Sequence, residues 1–136
     1  MTVSRRTAAG TLGVYVLVAG FIVFWPSSDV ASESVDLLHA ALLELGAPAW
    51  VSPDAIEFVT NVLLFMPLSF FGSALRPQWS WLAWGLVGLV TTIAVEGIQM
   101  LLLLDRTPEA ADLVANTVGS LLGFGVAVGT RPKVRD

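Results

Sequence analysis

The sequence predicts an all-α polytopic membrane protein with four transmembrane helices and a short interfacial amphipathic helix. Of its 136 residues, 55% are hydrophobic and 13% are charged, and the mean hydropathy is +0.77, which is too apolar for an ordinary soluble domain. The apolar residues fall into separate runs, several of them near the roughly 20 residues that cross a bilayer as a helix. We therefore expect a single membrane domain over residues 1–136.

The first predicted span covers residues 8–25, an apolar run that follows Arg5 and Arg6 and ends before Pro26. A basic pair before an apolar run also begins a secretory signal peptide, which is the competing interpretation. No small-x-small cleavage site follows the run. We therefore expect a retained anchor.

A polar connection over residues 27–54 follows, and it contains five acidic residues and no lysine or arginine. Within it, residues 34–45 place apolar side chains at helical spacing, but this segment is too short to cross a membrane. The pattern predicts an amphipathic helix that lies at the membrane interface and ends at Gly46.

The second predicted span covers residues 55–75, and Pro53 and Asp54 suit the first turn of its helix. Glu57 and Asn61 are four residues apart, so they share one face of this helix. Pro67 removes a backbone hydrogen bond in mid-span and should bend it.

The third predicted span covers residues 79–104. Three tryptophans near its start are typical of an interfacial belt: Trp79, Trp81 and Trp84. One stripe of the helix is small and polar, as expected of a face that packs on other helices. This stripe consists of Gly85, Gly88, Thr92, Glu96 and Gln99.

The fourth predicted span covers residues 111–129. Small residues recur along it in steps of four, which allows another helix to approach closely. They are Ala115, Gly119, Gly123 and Ala127, with Asp112 and Asn116 one position away.

Polar residues inside these spans mark the candidate site, because ionisable groups within a membrane usually serve a function. Glu96 and Gln99 share a face of one helix, and Asp112 and Asn116 share a face of the next. The connection between these helices is short, so both pairs should lie at the same end of the bundle. The predicted ligand-binding residues are Glu57, Asn61, Glu96, Gln99, Arg106, Asp112 and Asn116.

Two ordered blocks of sequence resemble the VanZ-like family of small membrane proteins. One block is residues 57–68 (EFVTNVLLFMPL), and the other combines Glu96-x-x-Gln99, Arg106-Thr107 and residues 112–119 (DLVANTVG) with Gly123. The chain departs from the family pattern at Ser69, where a glycine is usual. The resemblance implies a link to glycopeptide resistance, particularly to teicoplanin.

The distribution of basic residues predicts the orientation. With four spans, six of the seven basic residues fall on one side, and only Arg106 falls on the other. Positively charged loops remain in the cytoplasm. We therefore expect a plasma-membrane protein with both termini in the cytoplasm and its polar residues near the outer face.

Three functions fit these residues. The first is binding of a lipid head group or lipid-linked envelope precursor, with Arg106 supplying charge for a phosphate or carboxylate. The second is an intramembrane enzyme that uses Glu96 as general acid or base, although the sequence has no Ser-His or Cys-His set. The third is a purely structural polar cluster.

The partners expected from the sequence are the bilayer and such a lipid or precursor. With one histidine and no cysteine we expect no metal site. We also expect no cofactor and no nucleic acid. The sequence leaves the oligomeric state open.

Overall fold

The computed structural model describes residues 4–25, 28–48, 50–102 and 109–130. These residues form five α-helices and no strand. The helices are α1 (Arg5–Val23), α2 (Ser28–Glu44), α3 (Pro53–Leu75), α4 (Trp81–Leu102) and α5 (Ala110–Gly129). Of these, α1, α3, α4 and α5 are long and apolar enough to cross a membrane. The predicted class, an all-α polytopic membrane protein, is confirmed.

Serine caps fix where two of the spanning helices begin. The Ser4 hydroxyl accepts a hydrogen bond from the Thr7 amide at 3.1 Å, so α1 starts three residues before the predicted span. The Ser52 hydroxyl accepts one from the Ala55 amide at 3.2 Å, and Pro53 occupies the first turn of α3 as predicted. Such caps satisfy amides that have no partner within the helix.

The interfacial helix is longer than the sequence predicted. Instead of residues 34–45, α2 covers Ser28–Glu44, and it packs on α3. Its last helical residue is Glu44, and Gly46 terminates it as predicted, because this glycine adopts a φ of 87° and the following amide, of Ala47, bonds to the Leu42 carbonyl at 2.9 Å. Several apolar side chains of α2 remain exposed, as expected of a helix that lies on a membrane surface.

Among the four long helices, α5 contacts both α3 and α4, and α1 packs on α3. The chain alternates in direction, which gives the bundle two distinct ends. We call one the acidic end; it holds the start of α3, the start of α5 and the end of α4, with Asn61 bonded to Asp112. The opposite, arginine end holds the start of α1, where Arg5 bonds to the Leu75 carbonyl at the end of α3.

Glycines on α5 bring its backbone against that of α3. A Cβ on Gly119 would meet the Val62 carbonyl oxygen, and a Cβ on Gly123 would meet that of Met66. The close helix approach predicted from the small-residue spacing is therefore confirmed. Ser69, the departure from the family pattern, is fully buried and lies against Gly123, so its side chain fits because the facing residue on α5 has none.

The predicted tryptophan belt needs correction at Trp84. Its side chain is 4% exposed, lies over Gly72 of α3 and stacks near Phe124 of α5, with ring centroids 6.4 Å apart. Trp79 and Trp81 are exposed, as an interfacial belt requires. Trp84 therefore packs between helices, because glycine on α3 leaves room for its ring.

Two polar contacts attach α1 to the bundle. Near its middle, the Tyr15 hydroxyl donates to the Leu64 carbonyl, one turn before Pro67. At its end, the Gln99 amide of α4 donates to the Val23 carbonyl at 2.9 Å. The second bond satisfies a carbonyl in the last turn of α1, where the helix itself supplies no amide partner.

Candidate functional site

The acidic end brings together polar side chains from three helices. Asn61 of α3 donates through Nδ2 to Oδ1 of Asp112 on α5 at 2.6 Å. Glu96 of α4 is close enough to Asp112 for the two carboxylates to interact electrostatically. With Asn116, one turn deeper on α5, these residues form what we call the polar cluster. The sequence predicted all four of its members as site residues.

The polar cluster contains buried acceptors without donors. Within the described residues, neither Oε1 of Glu96 nor Oδ1 of Asn116 has a hydrogen-bond partner, and both atoms are buried. A buried acceptor left without a donor costs about 1–3 kcal/mol, and more when it is charged. Among the described residues these two acceptors therefore lack donors, and they favour a group that supplies N–H or O–H donors.

Thr117, beside Asn116, is a polar residue that the sequence analysis missed. Its buried hydroxyl oxygen has no partner among the described residues. A threonine inside a helix usually bonds to a carbonyl of the preceding turn, as Thr92 does to Gly88 at 2.9 Å. For this reason nothing in the sequence distinguishes Thr117 from an ordinary helical threonine.

The structure does not bring all predicted site residues into the cluster. Gln99 uses its amide to bind the Val23 carbonyl of α1, so it serves helix packing. Glu57 lies one turn nearer the start of α3 than Asn61 and is exposed. Arg106 lies outside the described residues.

The depth of the polar cluster follows from helix geometry. At 1.5 Å per residue, Asp112 lies about 3 Å from the start of α5, Glu96 about 9 Å from the end of α4 and Asn61 about 12 Å from the start of α3. The cluster thus extends from the helix ends to a depth of about 12 Å, most of the roughly 15 Å of hydrocarbon in one leaflet. A polar group attached to a lipid could reach it.

The described residues contain no group of three or more His, Asp or Glu side chains that could hold a metal ion. In the polar cluster, Glu96 and Asp112 are two carboxylates close enough to interact.

The fold and this cluster define a class: small helical membrane proteins that bury polar side chains among several spans at one end of the bundle. The model of the VanZ/LLP1 family matches residues 12–131, which include most of α1 and all the other helices. The chain therefore belongs to the VanZ/LLP1 family, as the two sequence blocks indicated. No curated protein and no solved structure matches it.

Proposed function

We propose that this protein binds, in its polar cluster, the head group of a membrane lipid or of a lipid-linked envelope precursor. Under this proposal it contributes to glycopeptide resistance, particularly to teicoplanin, by occupying that precursor. The observation that carries the proposal is the pair of buried acceptors without donors on Glu96 and Asn116. Hydroxyl or amine groups of a head group would supply those donors.

The charges of the polar cluster indicate which chemical groups the ligand should carry. Two carboxylates, Glu96 and Asp112, interact in the cluster, and the Asn61 amide donates to Asp112. A ligand with hydroxyls or an ammonium group would suit this region. A phosphate or carboxylate on the same ligand would need a cation, and Arg106 is the basic residue that the sequence places nearby.

An enzymatic function is the second candidate. A buried carboxylate oxygen without a partner, beside a second carboxylate, is an arrangement that general acids and bases use. Under that proposal Glu96 would move a proton on a lipid-linked substrate. The ligand would then be converted, whereas a binding protein would release it unchanged.

The test is mass spectrometry of lipids that copurify with the full chain. Glu96→Ala and Asn116→Ala should each reduce the bound lipid about tenfold. Each substitution removes an acceptor for a donor of the ligand, and a buried donor left without an acceptor costs roughly 1–3 kcal/mol. Glu44→Ala, at an exposed carboxylate of α2, is the matched control and should retain it. Identical lipid content in all four proteins would refute the binding site. Conversion of the retained lipid during incubation would favour the enzyme.

Teicoplanin sensitivity tests the role of Arg106. In a susceptible host, Arg106→Gln should abolish any resistance that the wild type confers, measured at equal amounts of membrane-inserted protein. Arg106→Lys separates a bidentate guanidinium contact, which an ammonium cannot replace, from a simple charge requirement. Equal sensitivity of wild type and Arg106→Gln would contradict the role of this residue.

A further inference from the structure

A second pocket lies at the arginine end of the bundle, opposite the polar cluster. It is about 350 Å³ in volume and is lined by residues of α1, α3 and α4 and of the turn between α3 and α4. Its charged and aromatic lining consists of Arg5, Arg76, Trp79 and Trp84. None of these residues belongs to the proposed head-group site.

The guanidinium groups of this pocket have no acidic residue nearby in the sequence. Arg5 donates through Nη2 to the Leu75 carbonyl at 3.0 Å, which places its guanidinium beside the end of α3, and Arg76 follows directly. A guanidinium has five N–H donors, so this bond leaves Arg5 most of its capacity. The acidic residues of the described chain lie in α2, in the first two turns of α3, in the last two turns of α4 and at the start of α5. The arginine end therefore suits an anion.

Trp84 adds a buried donor to the same pocket. Its side chain is only 4% exposed, and its indole Nε1 has no hydrogen-bond partner among the described residues. Buried tryptophans normally bond this N–H to an acceptor. Because Nε1 can only donate, its missing partner is an acceptor, and a phosphate oxygen bound in the pocket would reach this sealed nitrogen through a shift of the ring.

The pocket continues into an apolar cleft between α1, α3 and α4. Leu68 lines both spaces, and the cleft has a volume of about 190 Å³ with an almost wholly apolar lining that includes Val16, Phe65 and Val95. For comparison, an apolar cavity of about 150 Å³ accepts benzene. On α1, Arg5 and Leu12 line the pocket and residues between Tyr15 and Val23 line the cleft, so the two linings together cover about 27 Å of this helix.

We propose that the arginine end binds one anionic phospholipid. Its phosphate lies at Arg5 and Arg76, next to the Trp84 ring, and part of one acyl chain occupies the cleft between α1, α3 and α4. A free phosphate would leave the apolar cleft unfilled, whereas a phospholipid fills both spaces. This site is separate from the polar cluster, so the proposal does not depend on the proposed function.

The experiment measures lipid binding to the purified full chain by native mass spectrometry. Phosphatidylglycerol and phosphatidylcholine with the same acyl chains are added in turn, and phosphatidylglycerol should bind at least tenfold more tightly. Arg5→Gln and Arg76→Gln should each weaken phosphatidylglycerol binding by about fivefold, the usual effect of one basic residue near an anionic lipid surface. Arg6→Gln is the matched control, because Arg6 is exposed, adjacent in sequence and not part of the pocket lining. It should change binding by less than twofold.

Two further variants test the indole and the cleft. Trp84→Phe removes the N–H donor and should weaken phosphatidylglycerol binding at least threefold. Ala19→Phe places a ring in the cleft that Ala19 lines, and it should weaken phosphatidylglycerol binding by a similar factor. Equal affinity for the two lipids, an equal loss in Arg6→Gln and Arg5→Gln, or displacement of phosphatidylglycerol by millimolar inorganic phosphate would each overturn the proposal. Unchanged binding in Ala19→Phe would overturn the placement of the acyl chain.

Discussion

At the scale of single residues, the two carboxylates of the polar cluster are unequal. Asp112 accepts a hydrogen bond from Asn61, whereas Oε1 of Glu96 has no donor among the described residues. A charge that is buried beside a like charge and incompletely hydrogen-bonded opposes folding. The stability of the fold alone therefore does not explain why a glutamate occupies position 96.

This inequality predicts the effect of Glu96→Gln on folding. The substitution removes a negative charge near Asp112 and keeps the shape of the side chain, so the free energy of unfolding should rise by about 1 kcal/mol. Reversible unfolding in mixed micelles at neutral pH measures it. Glu44→Gln on α2 is the control and should stay within about 0.5 kcal/mol of wild type. A clear loss of stability in Glu96→Gln would show that this carboxylate already has a stabilising partner.

Residue identity predicted most of the cluster but not the direction of each side chain. Asn61, Glu96, Asp112 and Asn116 stood out because polar residues are rare in apolar runs. Gln99 shares a helix face with Glu96, but residues three apart on a helix differ by about 60° in direction. Which neighbour each one meets depends on the position of α1, and sequence spacing does not specify that position.

At the scale of helices, the contact between α3 and α5 depends on glycine. Gly123→Ala would place a methyl group against the Met66 carbonyl oxygen and the Ser69 hydroxyl, so the helices would have to separate. Forcing extra atoms into a packed contact costs about 1–3 kcal/mol. We expect a loss of this size in the free energy of unfolding in mixed micelles. Gly13→Ala on α1 is the control, because nothing lies within 4 Å of the added atom.

A loss of stability in Gly13→Ala as large as that in Gly123→Ala would show that glycine matters for reasons other than helix approach.

The sequence predicted the close contact along α5 because the small residues of this helix recur in strict steps of four. It did not predict the burial of Trp84, because that depends on Gly72 of α3 facing the tryptophan ring. Pairings between distant helices leave no periodic signal within either helix.

The sequence predicted the presence of each helix better than it predicted the residues at which each helix begins and ends. The starts of α1 and α3 follow from Ser4 and Ser52, whose hydroxyls cap the first turns. The start of α2 lies six residues before its predicted position, although Gly46 ends it as expected. An amphipathic pattern indicates where apolar side chains face the membrane, while the helix itself extends further into polar sequence.

At the scale of the whole molecule, charge predicts the orientation in the membrane. The arginine end should face the cytoplasm and the acidic end the outside. The chain has no cysteine, so a single introduced cysteine reports its own accessibility. Ser32→Cys on α2 should react with an impermeant reagent added to intact cells, whereas Gln78→Cys in the turn between α3 and α4 should react only after lysis. The reverse pattern would invert the topology and move the polar cluster to the inner face.

The overall class followed from composition, since a chain this apolar with several long runs has few alternatives. The order in which the helices pack did not follow from composition. Consecutive antiparallel helices with short connections are usually neighbours, yet α3 and α4 each pack mainly on α5. The glycines that favour this arrangement lie on the last helix of the chain.

This order of packing has a consequence for biosynthesis. Ribosomes deliver α3 and α4 to the membrane before α5 exists, so the helix that separates them arrives last. Until then Asn61 lacks Asp112, and the α3 backbone lacks its closest neighbour. A nascent chain that stops before Ala110 therefore leaves α3 and α4 without the helix on which each mainly packs.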